Sequence, residues 1–326
     1  MFADRLESGR PLILGSDPLA ALRARGIPLE GDAPLGRLMR ERPGLVAEHY
    51  DGEIAAGVDV LSALTAETMP RALAQIGMAF RAAALTGDAV ELAQDAAARA
   101  PRPIAVAGVL GTRWIAPSDP ARIAEEYARH ASRLAAAECD LLLARGWVPA
   151  PWARRELLAH QGAPPSRSSL HHDAPMSRRG LSTLPPPPPE TLARLTRTAA
   201  IVSGHATGLP TWAVLELDAT LATADGEPAV AAARAAVAAG AAVVLLEVKG
   251  PELGLRALAE VGDAGVPLGV LLADPHDDLA SWAVHADRLI EAGARVLGGG
   301  YGLAPPGVAA LAATLRDRES SPASLP

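Results

Sequence analysis

The sequence predicts an α/β protein of the (β/α)8, or TIM, barrel class, and two observations carry that expectation. Short apolar runs alternate with longer Ala-, Leu- and Arg-rich segments of helical period, the pattern of a parallel sheet covered by helices. Eight such runs fit into 326 residues, which suits a closed barrel better than an open sheet. The runs are Leu12–Leu14, Val58–Leu61, Ile104–Ala107, Asp140–Leu143, Thr211–Leu217, Ala242–Leu246, Pro267–Leu272 and Arg295–Leu297.

The segments between them read as helices. Over 118–137, Ser118 or Asp119 can cap, Pro120 suits the first turn, and Ile123, Tyr127 and Leu134 share one face. The stretch 231–240 stops at Gly240 just before a strand. Over 278–292, Asp278 can cap while Trp282, His285, Leu289 and Ala292 line one side. One region departs from the alternation. Residues 149–190 are proline-rich, and the five prolines at 185–189 lack amide donors and favour polyproline II. They read as a disordered insertion between strands 4 and 5, with a helix resuming over 189–202. The expected organisation is one barrel over 1–318, that insertion within it, and a disordered tail at 319–326.

Composition narrows the function classes. Hydrophobic residues at 49% and charged residues at 21% fit a globular chain and exclude wholesale disorder. A net charge of −7 gives no basic surface, so neither nucleic acid nor an anionic membrane is an expected partner. The opening MFADRLESGR carries acidic residues and no apolar core, unlike a signal peptide. The longest apolar run, 235–246, is too short for a bilayer of about 30 Å. A cytoplasmic protein is expected. A single cysteine, Cys139, excludes an intrachain disulfide framework and any zinc site built from several thiolates. No nucleophile elbow, Walker loop or dinucleotide fingerprint stands in a suitable context.

Several stretches share a family pattern. After the first strand come Gly15, Ser16 and Asp17, then Ala20 and Leu22, where that pattern has Asp-Gly-Gly-x-x-Thr-x-Leu. Pro43, His49, Ala56, Gly57 and Asp59 follow its Pro…His…Ala-Gly-Ala-Asp segment, and Thr65 falls on its threonine between Leu64 and Ala66. VAGVLGT (106–112) parallels Ala-Gly-Ser-x-Gly-Pro, and Arg145 and Gly146 stand at a Glu-Thr pair. LPTW and the DGEP loop (225–228) complete the set. Together these resemble the homocysteine S-methyltransferase (homocysteine-binding) family over nearly the whole chain outside the insertion, most closely in the C-terminal half.

The resemblance implies a catalytic zinc held by three cysteines, one after the sixth strand and two after the eighth. LLEVKGP (245–251) places Glu247 and Val248 at the family's Asn-Cys, and GGGYG (298–302) places Gly300 and Tyr301 at its Cys-Cys. The zinc-ligand positions are therefore Val248, Gly300 and Tyr301, and no cofactor is predicted. A zinc ion bound by thiolates would lower the thiol pKa of homocysteine and make it nucleophilic. Valine and glycine offer no ligand, and neutral tyrosine is a poor one.

In such barrels chemistry sits at the C-terminal ends of the strands. Ligand-binding candidates there are Asp17, Thr65, Arg145, Glu247, Asp274, Gly298 and Gly299, with Arg113, Asp218 and His276 also at the rim. Arg145 either holds an anionic ligand or pairs with Glu247 or Asp274. Glu247, Asp274 and His276 form an oxygen/nitrogen metal set if all three turn inward; solvated rim residues are the alternative. GGGYG either cradles a phosphate or is a tight turn. His171, His172 and Asp173 read as a solvated loop, and Trp114, Trp147 and Trp152 either shape the mouth or pack. The expected function is a family barrel without zinc-dependent methyl transfer, a pseudoenzyme or diverged binding or regulatory paralogue. The alternative is a zinc-independent enzyme acting at the rim on a sulfur amino acid, a methyl donor or a phosphate-bearing small molecule. Candidate partners are a small-molecule ligand, an active paralogue or further copies of the chain.

Overall fold

The computed structural model describes residues 5–6, 10–111, 120–145, 189–273 and 279–320. Eight parallel strands hydrogen-bond in sequence order and close into a barrel, with the first paired to the last. They are β1 (Leu12–Leu14), β2 (Val60–Ser62), β3 (Ala105–Gly111), β4 (Leu141–Arg145), β5 (Thr211–Glu216), β6 (Val243–Lys249), β7 (Leu268–Ala273) and β8 (Ala294–Gly299). Each apolar run of the sequence became a strand. Several strands continue past the run that announced them: β3 to Gly111, β4 to Arg145, β6 to Lys249 and β8 to Gly299. Cross-strand pairing carries these extensions, since Gly111 pairs with Arg145 and Glu216 with Glu247. Glycines and charges at strand ends end the apolar pattern without ending the ladder.

The helices are α1 (Pro18–Ala24), α2 (Pro34–Glu41), α3 (Pro43–Ala56), α4 (Pro70–Ala74), α5 (Ala82–Arg99), α6 (Pro120–Ala136), α7 (Pro189–His205), α8 (Ala229–Ala238), α9 (Pro251–Val261), α10 (Leu279–Glu291) and α11 (Pro305–Ser320). Proline opens α1, α2, α3, α4 and α9, where its missing N–H costs nothing and its fixed φ is already helical. Ile123, Tyr127 and Leu134 are the buried face of α6, joined by His130 and Ala131. On α10 the described side chains that are buried are Ala286, Leu289 and Ile290; of the face expected, Leu289 is buried, His285 is half-buried and Ala292, just past the helix, is exposed. Gly240 stops α8 with φ of +101°, as its position suggested. The proline-rich stretch between β4 and α7 lies outside the described residues, apart from the start of α7, and α11 runs past residue 318 to Ser320.

Strand alternation divides the core into two layers. Leu12, Leu14, Val60, Leu143, Trp212 and Leu245 fill the barrel interior. Their neighbours Ile13, Leu61, Leu142, Leu246 and Leu297 pack outward against the helices. On this parity Arg145 follows Leu141 and Leu143 inward, and Glu247 follows Val243 and Leu245. Two charges therefore reach the interior at the C-terminal end of the barrel.

Candidate functional site at the barrel mouth

The C-terminal ends of β1 to β4 and of β8 enclose a cavity of about 80 Å³. Its apolar wall includes Leu14, Leu19, Leu35, Leu64, Val109 and Leu143; its polar wall includes Ser16, Asp17, Ser62, Glu67 and Arg145. Gly299 also lines it.

Arg145 and Glu247 form one unit above this cavity. Arg145 Nη2 donates to Glu247 Oε2 at 2.6 Å, and Glu247 Oε1 accepts from the Tyr301 amide at 2.8 Å. Glu247 is only 3% exposed. Burial by itself would lower the pKa of Arg145, but the Glu247 carboxylate, with Glu216 and Asp17, raises it above the ordinary arginine value. The guanidinium is firmly charged. The sequence left two fates open for Arg145, and pairing with Glu247 is the one observed.

The three positions aligned with zinc ligands are now placed. Val248 is buried on the outer layer of β6, near the point where a Cβ on Gly254 of α9 would sit. At Gly300 an added Cβ would lie 2.9 Å from Glu247 Cγ and 3.0 Å from the Leu272 carbonyl. The Glu247 side chain occupies the room that a side chain at 300 would need. Tyr301 contributes its amide to Glu247. Cys139 lies before β4, at the far end of the barrel, and burial pushes its thiol pKa up to about 12.

The glycine run does not present free amides. The N–H groups of Gly299, Gly300, Tyr301 and Gly302 donate in turn to Gly15 O, Leu272 O, Glu247 Oε1 and Asp17 Oδ2. Gly298 and Gly299 instead permit close approach of β8 to β1. A Cβ at Gly298 would meet Leu14 O at 2.6 Å, and one at Gly299 would meet Ser16 Cα at 2.7 Å.

Asp17 is the N-cap of α1, accepting from Leu19 N at 3.0 Å, while its other oxygen takes the Gly302 amide. Thr65 is fully buried behind the cavity wall. Its hydroxyl donates to Val109 O and accepts from Val109 N, and its carbonyl meets His130 Nε2 at 3.1 Å. Asp218 holds its own turn through Thr220 and Ala222. Asp274, His276 and Arg113, the His171–Asp173 tract, and Trp114, Trp147 and Trp152 lie outside the described residues.

Two buried carboxylates at the mouth were not anticipated. Glu67 accepts from Leu35 N at 2.7 Å and Gly36 N at 3.3 Å, at the start of α2. Glu53 of α3 lies under the β1 turn, accepting from Ser16 N at 2.8 Å and from the Ser16 hydroxyl. Burial raises its pKa against the lowering effect of those bonds. No motif marks either glutamate, because each is defined by a turn that only the fold brings near. Among the described residues, no group of three or more His, Cys, Asp or Glu is arranged to hold a metal, and no helix is long and apolar enough to cross a membrane.

Comparison with known proteins gives a fold, and a family likeness over part of the chain. No curated protein matches the chain. The metallated form of the homocysteine methyltransferase MmuM from Escherichia coli is 20% identical, covering 93% of this chain and 96% of that one with a TM-score of 0.69. Its oxidized form is 22% identical over the same shares, with a TM-score of 0.67. A methyltransferase from Methanosarcina mazei is 12% identical, covering 97% and 98%, with a TM-score of 0.54. These likenesses are of fold. The family model for homocysteine S-methyltransferase matches residues 20–146, from α1 to the end of β4. That is about two fifths of the chain, all in its N-terminal half, whereas the residue patterns had pointed most strongly to the C-terminal half, and the span stops short of positions 248, 300 and 301. By that match residues 20–146 are similar to the homocysteine S-methyltransferase family.

Proposed function

We propose that this barrel is a diverged paralogue that binds a small molecule at its mouth without zinc-dependent methyl transfer. The observation carrying the reading is the seat of Glu247. Zinc takes thiolate, imidazole or carboxylate ligands in a closed tetrahedral set, with one position left open for chemistry. At the positions the resemblance assigns to that set stand an outward valine, a glycine with no room for a side chain, and a tyrosine. Glu247 stands beside these positions, and its two oxygens are engaged by Arg145 and the Tyr301 amide. Among the described residues, those at these positions do not fit the metal.

Occupied amides at 299–302 also weigh against a phosphate cradle there. A cytoplasmic setting and pairing with an active paralogue or with further copies belong to the same proposal. Metal analysis of the purified chain, together with a methyl-transfer assay using homocysteine and S-methylmethionine, tests it. Substoichiometric zinc and no turnover are expected. Stoichiometric zinc with turnover would overturn the reading, and turnover without zinc would replace it with a zinc-independent enzyme.

A further inference from the structure

We infer that the cavity at the mouth takes a small uncharged ligand with an apolar body and a carbonyl-type oxygen. This rests on the metal-free reading of the rim and names the ligand class for it. Among the described residues, three charged side chains stand in the cavity wall, and each is already matched inside the protein. Asp17 lies at the N-terminus of α1 and also takes the Gly302 amide. Glu67 lies at the start of α2, accepting its first amides. Helix N-termini carry partial positive charge, so both carboxylates are compensated where they sit. Arg145 is paired with Glu247. No charge on the wall calls for a counter-ion. An anion would face Asp17 and Glu67, and a cation would lose its hydration against a largely apolar wall with the Arg145 guanidinium beside it.

What the wall does leave over is hydrogen-bonding capacity of one kind. A guanidinium has five N–H donors. Among the described residues the Arg145 side chain makes one hydrogen bond, to Glu247, and it remains 15% exposed. Ser62, at the end of β2 on the same wall, makes no side-chain hydrogen bond among the described residues. Ser16, by contrast, has its hydroxyl committed to Glu53. The spare groups are therefore donors, set in a wall of leucine and valine. Binding sites commonly combine apolar walls with a few polar groups that fix orientation. A carbonyl oxygen satisfies those donors without bringing in charge.

The test compares three ligands of one shape: 3-methylbutanamide, 3-methylbutanoate and 3-methylbutylammonium. Each is titrated into the full chain by protein-observed NMR or calorimetry, with zinc content measured on the same preparation. The amide is expected to bind at least about tenfold more tightly than either charged analogue, the discrimination that ~1.4 kcal/mol provides. Ser62→Ala, checked for folding by circular dichroism, is expected to weaken binding of the amide roughly fivefold, as loss of one hydrogen bond of about 1 kcal/mol should. Tighter binding of the carboxylate or the ammonium overturns the inference, as does absence of binding by all three. An unchanged affinity for the amide in Ser62→Ala overturns it as well. If the preparation is free of zinc, those failures strike only the ligand class. If it carries stoichiometric zinc, the reading beneath has failed.

Discussion

At the scale of single residues, Glu247 organises the mouth through contacts that local sequence does not reveal. Its partner Arg145 lies 102 positions away and its amide donor Tyr301 lies 54 away. The family pattern singled out 145, 247, 300 and 301 as changed, but not that the changes meet one another. Breaking a buried ion pair leaves the survivor charged and unmatched, which typically costs about 3–5 kcal/mol. Glu247→Ala should therefore destabilise by that order in urea unfolding. Glu247→Gln, which still accepts from Tyr301, should lose less. Gly300→Cys faces Glu247 Cγ and the Leu272 carbonyl, and overpacking of this kind usually costs about 1–3 kcal/mol. It should unfold at lower urea and take up no zinc, as read by metal analysis after dialysis.

At the scale of elements, strand and helix identities were legible because apolar period and N-terminal proline are local signals. Strand ends were less so. β6 carries Glu247 within its ladder, and an apolar-run criterion stops short of it. Equally hidden were the histidines that two helices bury. His49 on α3 and His130 on α6 both have their pKa lowered to about 4, chiefly by burial. The unfolded chain protonates such groups near 6.5, so the stability they confer is full above that value and is lost as pH falls towards 4. Each contributes on the order of 3 kcal/mol over that window. Glu53 works the other way: its raised folded pKa means that the folded state binds that proton first, offsetting part of the loss. The unfolding free energy should fall between pH 6.5 and 4, and a His49→Gln/His130→Gln double variant should show a shallower slope. An equal slope in both proteins would refute the assignment.

At the scale of the whole molecule, the barrel follows from eight alternating units, whereas the state of its mouth depends on which distant side chains meet there. Because no metal is expected to bridge the strands, chelation with EDTA should leave the thermal midpoint unchanged; a fall of several degrees would contradict this. Asp17 → Ala should cost about 1 kcal/mol as a lost cap, and more if the Gly302 amide is stranded too. That second bond joins positions 285 apart, and β1 is flanked by β8. A growing polypeptide emerging from the ribosome cannot make this seam until its final βα unit has appeared. Long-range closure of this kind is slow, so newly synthesised chains should pass through an unsealed, protease-sensitive stage, and trimming the last strand should leave them trapped in it.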